Sequence, residues 1–438
     1  MKDTPINYEI VSEKIKMSGL KKIGNASIRE IKKLIDQIES ATGEKYVRME
    51  MGVPGLPPTK IGVEAQKVAL DKGVAAIYPD IFGVAPLKTE IAKFVKNFMD
   101  VDVTPECCLP TVGSMQGSFA AFMTLNRMHA DREGTIFLDP GFPVHKQQLK
   151  VMGQGFESFD VYNYRGEKLK EKLESYLKTR RFCTLLYSNP NNPSWICFTE
   201  RELEIIGELA NKYDVIVIED LAYFAMDFRK DYSKPGVPPF QPSVAKYTNN
   251  FVLLISSSKA FSYAGERVGM MVLSPKLFET KAPDLLRYYN SEIVGYALVF
   301  GTLYSLSSGT CHSAQHAITA ILKAANSGEL NFVEEVREYG VKAKIMKKLF
   351  TDNGFKIVYD TDVDQPIADG FYFTFSYPEM SGADLLEELL YYGISAITLD
   401  ITGSERHEGI RACVSLVQKT QFPALEERLR RFHADHQN

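Results

Sequence analysis

The chain has 438 residues, 45% hydrophobic and 24% charged, with a net charge of −4: room for two domains of ordinary globular composition, and no electrostatic reason to expect nucleic acid or an anionic membrane as a partner. Six scattered cysteines without a CxxC pair argue against a disulfide scaffold, and seven scattered histidines give no metal site. The N-terminus lacks a leader-type apolar core and no apolar run approaches about eighteen residues, so the sequence predicts a soluble, cytoplasmic protein without a membrane span.

In chain order, "TVGSMQGSFAAFMTL" (Thr111–Leu125) combines a glycine-containing turn with a helix, which offers an anion site at the helix N-terminus. "TIFLD" (Thr135–Asp139), "CTLLYS" (Cys183–Ser188), "DVIVIED" (Asp214–Asp220) and "FVLLIS" (Phe251–Ser256) read as buried strands. Between the second and third, Leu203, Ile206, Leu209 and Ala210 share a helical face, and Thr199 with Glu202 forms a capping box. Val268–Leu273 follows the fourth strand and is expected as an antiparallel neighbour. "SKPGVPPFQP" (Ser233–Pro242) is a proline-rich loop. After about residue 300 the texture changes. "HSAQHAITAILKAANSG" predicts a helix stopped by Gly328, and charged helical stretches run to about Asn353. Then come "FKIVYD", "GFYFTFSY", a helix from about Gly382 to Leu390, and "GIRACVSLV". Continuous apolar strands alternating with helices predict an α/β domain with a mostly parallel central sheet flanked by helices. The later mixture predicts a smaller α+β domain. The expected division is an N-terminal arm over 1–50 joining the small domain, a large domain over 51–300, and a small C-terminal domain over 301–438.

Ligands of open α/β sheets bind outside the carboxyl ends of the strands. The residues just past those ends are "DPGFP" (Asp139–Pro143), "SNPNNP" (Ser188–Pro193), "EDLAY" (Glu219–Tyr223) and "SSSK" (Ser256–Lys259), with Arg267 eight positions beyond the lysine. Singly, each has a structural explanation: a rigid turn, a helix cap, a solvent-facing lysine. Together they would bring an aromatic, an asparagine, an acid, a tyrosine and a lysine to one mouth. A lysine amine bonds covalently to an aldehyde, and pyridoxal phosphate needs such a lysine and an acid for its pyridinium nitrogen. A guanidinium and serines suit its phosphate.

The ordered set resembles the class I/II aminotransferases, the aspartate aminotransferase-like, fold type I family of pyridoxal-phosphate enzymes, from about Gly52 to Val417. It runs from Asn192 in an Asn-Pro pair through "DLAY" (Asp220–Tyr223) and "SSSK" with Arg267 to Arg411 in "IRACVSL". The resemblance implies these roles. Lys259 would bond the cofactor, Asp220 would keep its ring nitrogen protonated, and Asn192 and Tyr223 would hydrogen-bond its ring oxygen. Phe142 would stack on the ring. Ser114, Met115, Ser256, Ser258 and Arg267 would surround the phosphate, the first two through backbone amides. Tyr78 in "YPDIFG" would reach the neighbouring subunit's phosphate site, which implies a homodimer with active sites at the subunit interface. Arg411 would clamp the substrate α-carboxylate, with the backbone near Gly52 closing over it.

Two departures stand out. Ser194-Trp195 follows Asn192-Pro193 where the family has Thr-Gly, so Trp195 is expected to shape a substrate pocket, with Tyr372 hinting at an apolar or aromatic one. "ITLDITGSERHEG" (Ile397–Gly409) lacks the family's proline–glycine stop. The resemblance implies ping-pong amino transfer between an L-amino acid and a 2-oxo acid. The alternative on the same scaffold is a pyridoxal-phosphate lyase, of C–S lyase or decarboxylase type. A noncatalytic cofactor sensor would need a DNA-binding module, for which the residues before Gly52 leave little room. A nicotinamide enzyme is disfavoured, because "GQGFES" (Gly153–Ser158) lacks the third glycine of the dinucleotide pattern. "HEGIR" (His407–Arg411) likewise fails the HExxH metal pattern.

Overall fold

In a computed structural model, which describes residues 4–437, the chain packs as two units. The larger comprises Leu56–Pro190 and Cys197–Val336, and the smaller Met1–Gly55, Asn191–Ile196 and Arg337–Asn438.

The larger unit is built on seven strands: β1 (Cys108–Thr111), β2 (Thr135–Asp139), β3 (Phe156–Asp160), β4 (Thr184–Ser188), β5 (Ile216–Leu221), β6 (Phe251–Ser256) and β7 (Gly269–Leu273). Their order across the sheet is β1-β7-β6-β5-β4-β2-β3. The strands from β2 to β6 pair in parallel, and β7 runs antiparallel to both β6 and β1, as expected for the segment after β6. Every residue of β4, β5 and β6 is buried, which is why these strands are continuously apolar rather than alternating. The two strands that apolar runs do not announce lie at the sheet edges. Pro110 in β1 is tolerated there because an edge strand can spare an N–H, and β3 is only partly buried.

The helices of this unit include α1 (Lys60–Asp71), α2 (Ala85–Met99), α3 (Gly113–Leu125), α4 (Pro143–Val151), α5 (Glu200–Tyr213), the single turn α6 (Ser257–Ala260) and α7 (His312–Asn326). α5 begins with the predicted Thr199–Glu202 capping box and buries Leu203, Ile206, Leu209 and Ala210. α3 contributes Phe122 and Leu125 to a core with Phe137, Leu186, Ile218, Val252, Leu254 and Met271 from the strands. Full burial of each such side chain contributes about 1.5–3 kcal/mol. The sequence set the domain border near residue 300, but α7 belongs to the larger unit, which continues to Val336. The reason is packing: α7 lies against α1 and α2, and Gly62 of α1 lets the helices close up, since a Cβ there would stand 2.5 Å from Ile321 Cδ1.

In the smaller unit, β8 (Lys356–Ile357), β9 (Tyr372–Ser376), β10 (Ile397–Thr398) and β11 (Ile410–Cys413) form an antiparallel sheet in the order β10-β11-β9-β8. Helices α8 (Glu338–Asp352), α9 (Gly382–Tyr391) and α10 (Phe422–His436) belong to the same unit. Phe350, Phe355, Phe375 and Phe432 make its aromatic core, with Phe350 and Phe375 4.4 Å apart. The predicted α+β texture of the C-terminal region is what forms. A short parallel pair, Val47–Arg48 with Ile394–Ser395, ties the N-terminal segment to this unit.

Candidate active site

Two clusters of predicted site residues form, one in each unit. In the larger unit, β5 ends in Asp220 and Leu221 and β6 in Ser256, and α6 follows β6 without a loop. That places Lys259 on the first turn after a central strand, beside the neighbouring strand's acid. Its Nζ lies 5.6 Å from the centre of the buried Tyr223 ring. Burial pushes the Asp220 carboxyl up to about 6, and the Lys259 charge works against that rise. The Ala222 amide donates to Asp220 Oδ1 at 3.2 Å.

Asp220 has a neighbour that sequence inspection overlooked. His145 of α4 is buried, with Nε2 4.0 Å from Asp220 Oδ2. Burial pushes its imidazole down to about 4, so at neutral pH it is an uncharged contact and not an ion pair. It stands edge-on to Phe142 at 5.6 Å. A signal for it exists: His145 lies three residues after Phe142, hence on the same helical face.

An anion cup forms next to this group. α3 opens at Gly113, so its first amides, including those of Ser114 and Met115, have no intrahelical partner. Ser256 faces Gly269 across β6 and β7, and its hydroxyl accepts from the Ser258 amide at 3.2 Å. Two glycines keep the cup open. A Cβ on Gly113, whose φ is +64°, would stand 2.4 Å from Arg267 Nη2, and one on Gly269 would stand 2.7 Å from the Ser114 amide nitrogen. Arg267 is exposed, and its Nη1 donates to the Ala264 carbonyl at 2.7 Å. Helix amides, hydroxyls and a guanidinium are the donor set of a phosphate site.

One residue before Asp220, and on the opposite face of β5, Glu219 is buried and accepts from the Ser243 hydroxyl. Burial pushes its carboxyl up to about 7 from the ordinary 4.5, so the folded state holds this proton more tightly than the unfolded one. Stability from this group is therefore full below about pH 4.5 and falls by roughly 3 kcal/mol as pH rises through 7. Glu219→Gln, which stays neutral, should flatten that slope. Urea midpoints of both proteins at about pH 5 and about pH 8 check it, and equal slopes would contradict the assignment.

The smaller unit holds the second cluster around Arg411 of β11, which is only 1% exposed. Its Nη2 donates to the Glu50 carbonyl at 2.6 Å and its Nη1 to Asn192 Oδ1 at 3.2 Å. Its Nε has no hydrogen-bond partner, and among the described residues no carboxylate pairs with it. The guanidinium lies 4.4 Å from the centre of the Tyr372 ring. The Tyr372 hydroxyl approaches Gly52 so closely that a Cβ there would stand 2.0 Å from it. A buried cation without an acid partner is costly unless an anion arrives.

The segment Asn191–Ile196 solves its turn without the family's glycine. Asn191 Oδ1 accepts from the Ser194 amide at 3.1 Å and hydroxyl at 2.7 Å, and the Ser194 hydroxyl accepts from the Ile196 amide. Trp195 takes φ +65°, a conformation that is an outlier for a bulky residue. Trp195, which the sequence places in a substrate pocket, is fully buried, and its ring meets Tyr372 and Gly370. Tyr78, by contrast, is 88% exposed, which excludes a core role for it. Among the described residues, no group of three or more His, Cys, Asp or Glu is placed to hold a metal, and no helix is long and apolar enough to cross a membrane.

A probable aspartate aminotransferase from Methanocaldococcus jannaschii is 24% identical over 382 residues, covering 85% of this chain and 88% of that protein. Aromatic-amino-acid aminotransferase 2 of Thermococcus litoralis is 27% identical over 249 residues, 55% of this chain and 60% of its own. Among solved structures, an alanine aminotransferase from Pyrococcus furiosus superposes with a TM-score of 0.76 at 19% identity, covering 93% of this chain and 97% of that one. At that identity the likeness establishes the fold, which is the pyridoxal-phosphate fold type I. The family model for aminotransferase class I and II matches residues 45–427, most of the chain, and the chain therefore belongs to the class I and II aminotransferase family, an enzyme family that carries out transamination.

Proposed function

We propose that the protein moves an amino group between an L-amino acid and a 2-oxo acid with pyridoxal 5′-phosphate held by the larger unit. The observation that carries this reading is the meeting of Lys259, Tyr223, Asp220 and His145 beside an anion cup kept open by Gly113 and Gly269. Asp220, buried and pushed up to about 6 despite the nearby Lys259 charge, suits a pyridinium N–H. When bound, the cofactor supplies an aldehyde for the amine and a protonated ring that draws electrons from the substrate Cα.

The chain's own residues do the rest. Lys259 Nζ would hold the cofactor at rest and, with its amine free, would take the proton from the substrate Cα as general base and give it back as general acid. Asp220, steadied by neutral His145, holds the proton on the ring nitrogen. Tyr223 donates to the ring oxygen, and Asn192 is the second candidate for that contact. Phe142 covers the ring face. Ser114, Met115, Ser256, Ser258 and Arg267 bind the phosphate. Arg411 takes the α-carboxylate, supplying the buried charge with the anion it lacks, and the Gly52 backbone lies over that group. The second half-reaction reverses the path with a 2-oxo acid, giving ping-pong kinetics. Tyr78 reaches a second copy of the chain in a homodimer. The apolar side chains left exposed on the same unit, Ile77, Tyr296, Phe300 and Tyr304, support an interface there.

Gly113→Ala is expected to weaken cofactor binding at least about tenfold, because the new methyl meets Arg267 and the backbone conformation disfavours a side chain. A spectrophotometric titration of the cofactor-free protein with pyridoxal phosphate measures it; unchanged affinity would remove Gly113 from the cup. Turnover of an L-amino acid panel with and without a 2-oxo acid tests the activity itself. Amino transfer dependent on the acceptor supports the proposal, and ammonia release without acceptor would replace it with a lyase.

A further inference from the structure

We propose that Trp195 is a positioning residue that holds Arg411 in its carboxylate-binding orientation, acting through Tyr372. The inference rests on the aminotransferase reading above and extends it to a fully buried side chain.

Tyr372 and Arg411 sit on adjacent antiparallel strands. Thr374 of β9 faces Arg411 of β11, and Tyr372 faces Cys413, so Tyr372 lies diagonal to Arg411 on the same sheet face. The guanidinium rests over the Tyr372 ring at 4.4 Å, where cation–π attraction orients it. The ring has further neighbours. Its hydroxyl fits against Gly52, Trp195 meets it edge-on at 6.1 Å and 68°, and Phe371 packs against it at 5.1 Å. Trp195 is itself confined: a Cβ on Gly370 would stand 2.0 Å from its indole, and the Asn191–Ser194 bonds close the turn that carries it.

One six-residue segment therefore grips Arg411 twice. Asn192 bonds the guanidinium directly, and Trp195 braces the ring beneath it. The strained backbone at Trp195 fits this role, since glycine would adopt φ +65° freely but would leave Tyr372 unsupported on one side. Without the indole the tyrosine can tilt into the vacated space, and the guanidinium loses the surface that fixes its plane.

The test uses the cofactor-loaded full chain and the variants Trp195→Gly, Trp195→Phe and Gly370→Ala. KM and kcat are measured for the best donor among L-alanine, L-methionine and L-phenylalanine with pyruvate as acceptor. Calorimetry gives Kd for pyruvate, and a titration gives cofactor affinity. Trp195→Gly is expected to raise both KM values and the pyruvate Kd about tenfold, with kcat within about threefold and cofactor affinity unchanged. Trp195→Phe should keep these constants within about threefold of the parent, because a second ring still braces Tyr372. Gly370→Ala, which displaces the indole without touching Arg411, should follow Trp195→Gly, and it carries the same prediction if the glycine variant does not fold.

Parent-like KM and Kd in Trp195→Gly or Gly370→Ala would overturn the proposal. So would a loss confined to kcat and cofactor affinity. A parent protein that binds pyruvate yet transfers no amino group from any donor would overturn the aminotransferase reading instead, and the Kd comparison would still decide the role of Trp195.

Discussion

Lys259→Ala is expected to abolish amino transfer while leaving the cofactor site able to bind its ligand. On the proposed mechanism the lysine would have two tasks, bonding the cofactor at rest and moving the Cα proton, and none of Tyr223, Asp220 and His145 is suited to take over either. Tyr223 is a phenol, Asp220 would be committed to the ring nitrogen, and His145 is buried with its imidazole pushed down to about 4. Loss of a positioned acid–base group alone removes about 10²–10⁴ in rate, and loss of covalent attachment adds to it. The anion cup, which contains neither task, should still bind pyridoxal phosphate. Borohydride reduction followed by peptide mass mapping separates the roles. The parent should carry the cofactor on the peptide containing Lys259, and the variant should carry none. An active Lys259→Ala enzyme would contradict the mechanism.

The second large effect is expected at Arg411. Its guanidinium is buried, pairs with no acid among the described residues, and is already oriented by the Glu50 carbonyl, Asn192 and the Tyr372 ring. Arg411→Ala should raise KM for both amino acid and 2-oxo acid roughly 100-fold or more, equivalent to about 3 kcal/mol of lost charge-assisted contact. Arg411→Lys should recover little, because an ammonium cannot present two parallel donors or lie flat on Tyr372. Cofactor affinity should change much less than KM in both variants, since the proposed phosphate contacts and all the proposed ring contacts except Asn192 belong to the other unit's residues. Steady-state kinetics with a cofactor titration checks this. A variant with parent-like KM would show that Arg411 is a structural cation.

Much of this was legible in the sequence because the central strands are buried on both faces and therefore apolar from end to end. β2, β4, β5 and β6 declare themselves, and their carboxyl ends name Asp220, Ser256 and Lys259 without further help. β1 and β3 stay hidden because edge strands follow other rules, admitting a proline in one and mostly polar residues in the other. The domain border was misplaced because helical periodicity shows that α7 has an apolar face but not which helices cover it. His145 escaped because a lone histidine on a helix carries no pattern of its own; only the strand-end acid beside it gives it meaning. Trp195 was visible as a departure, yet its burial against Gly370 depends on a residue more than a hundred positions away in the chain, which no local spacing reveals.

The visible absorption spectrum of the purified protein tests the central claim most directly. With pyridoxal phosphate bound, a cofactor band should bleach on adding a competent L-amino acid and return on adding a 2-oxo acid. That cycle should be absent in Lys259→Ala. A protein that shows no band even after incubation with pyridoxal phosphate, or a band that no amino acid alters, would contradict the assignment of Lys259, Asp220 and the anion cup to a transaminating cofactor.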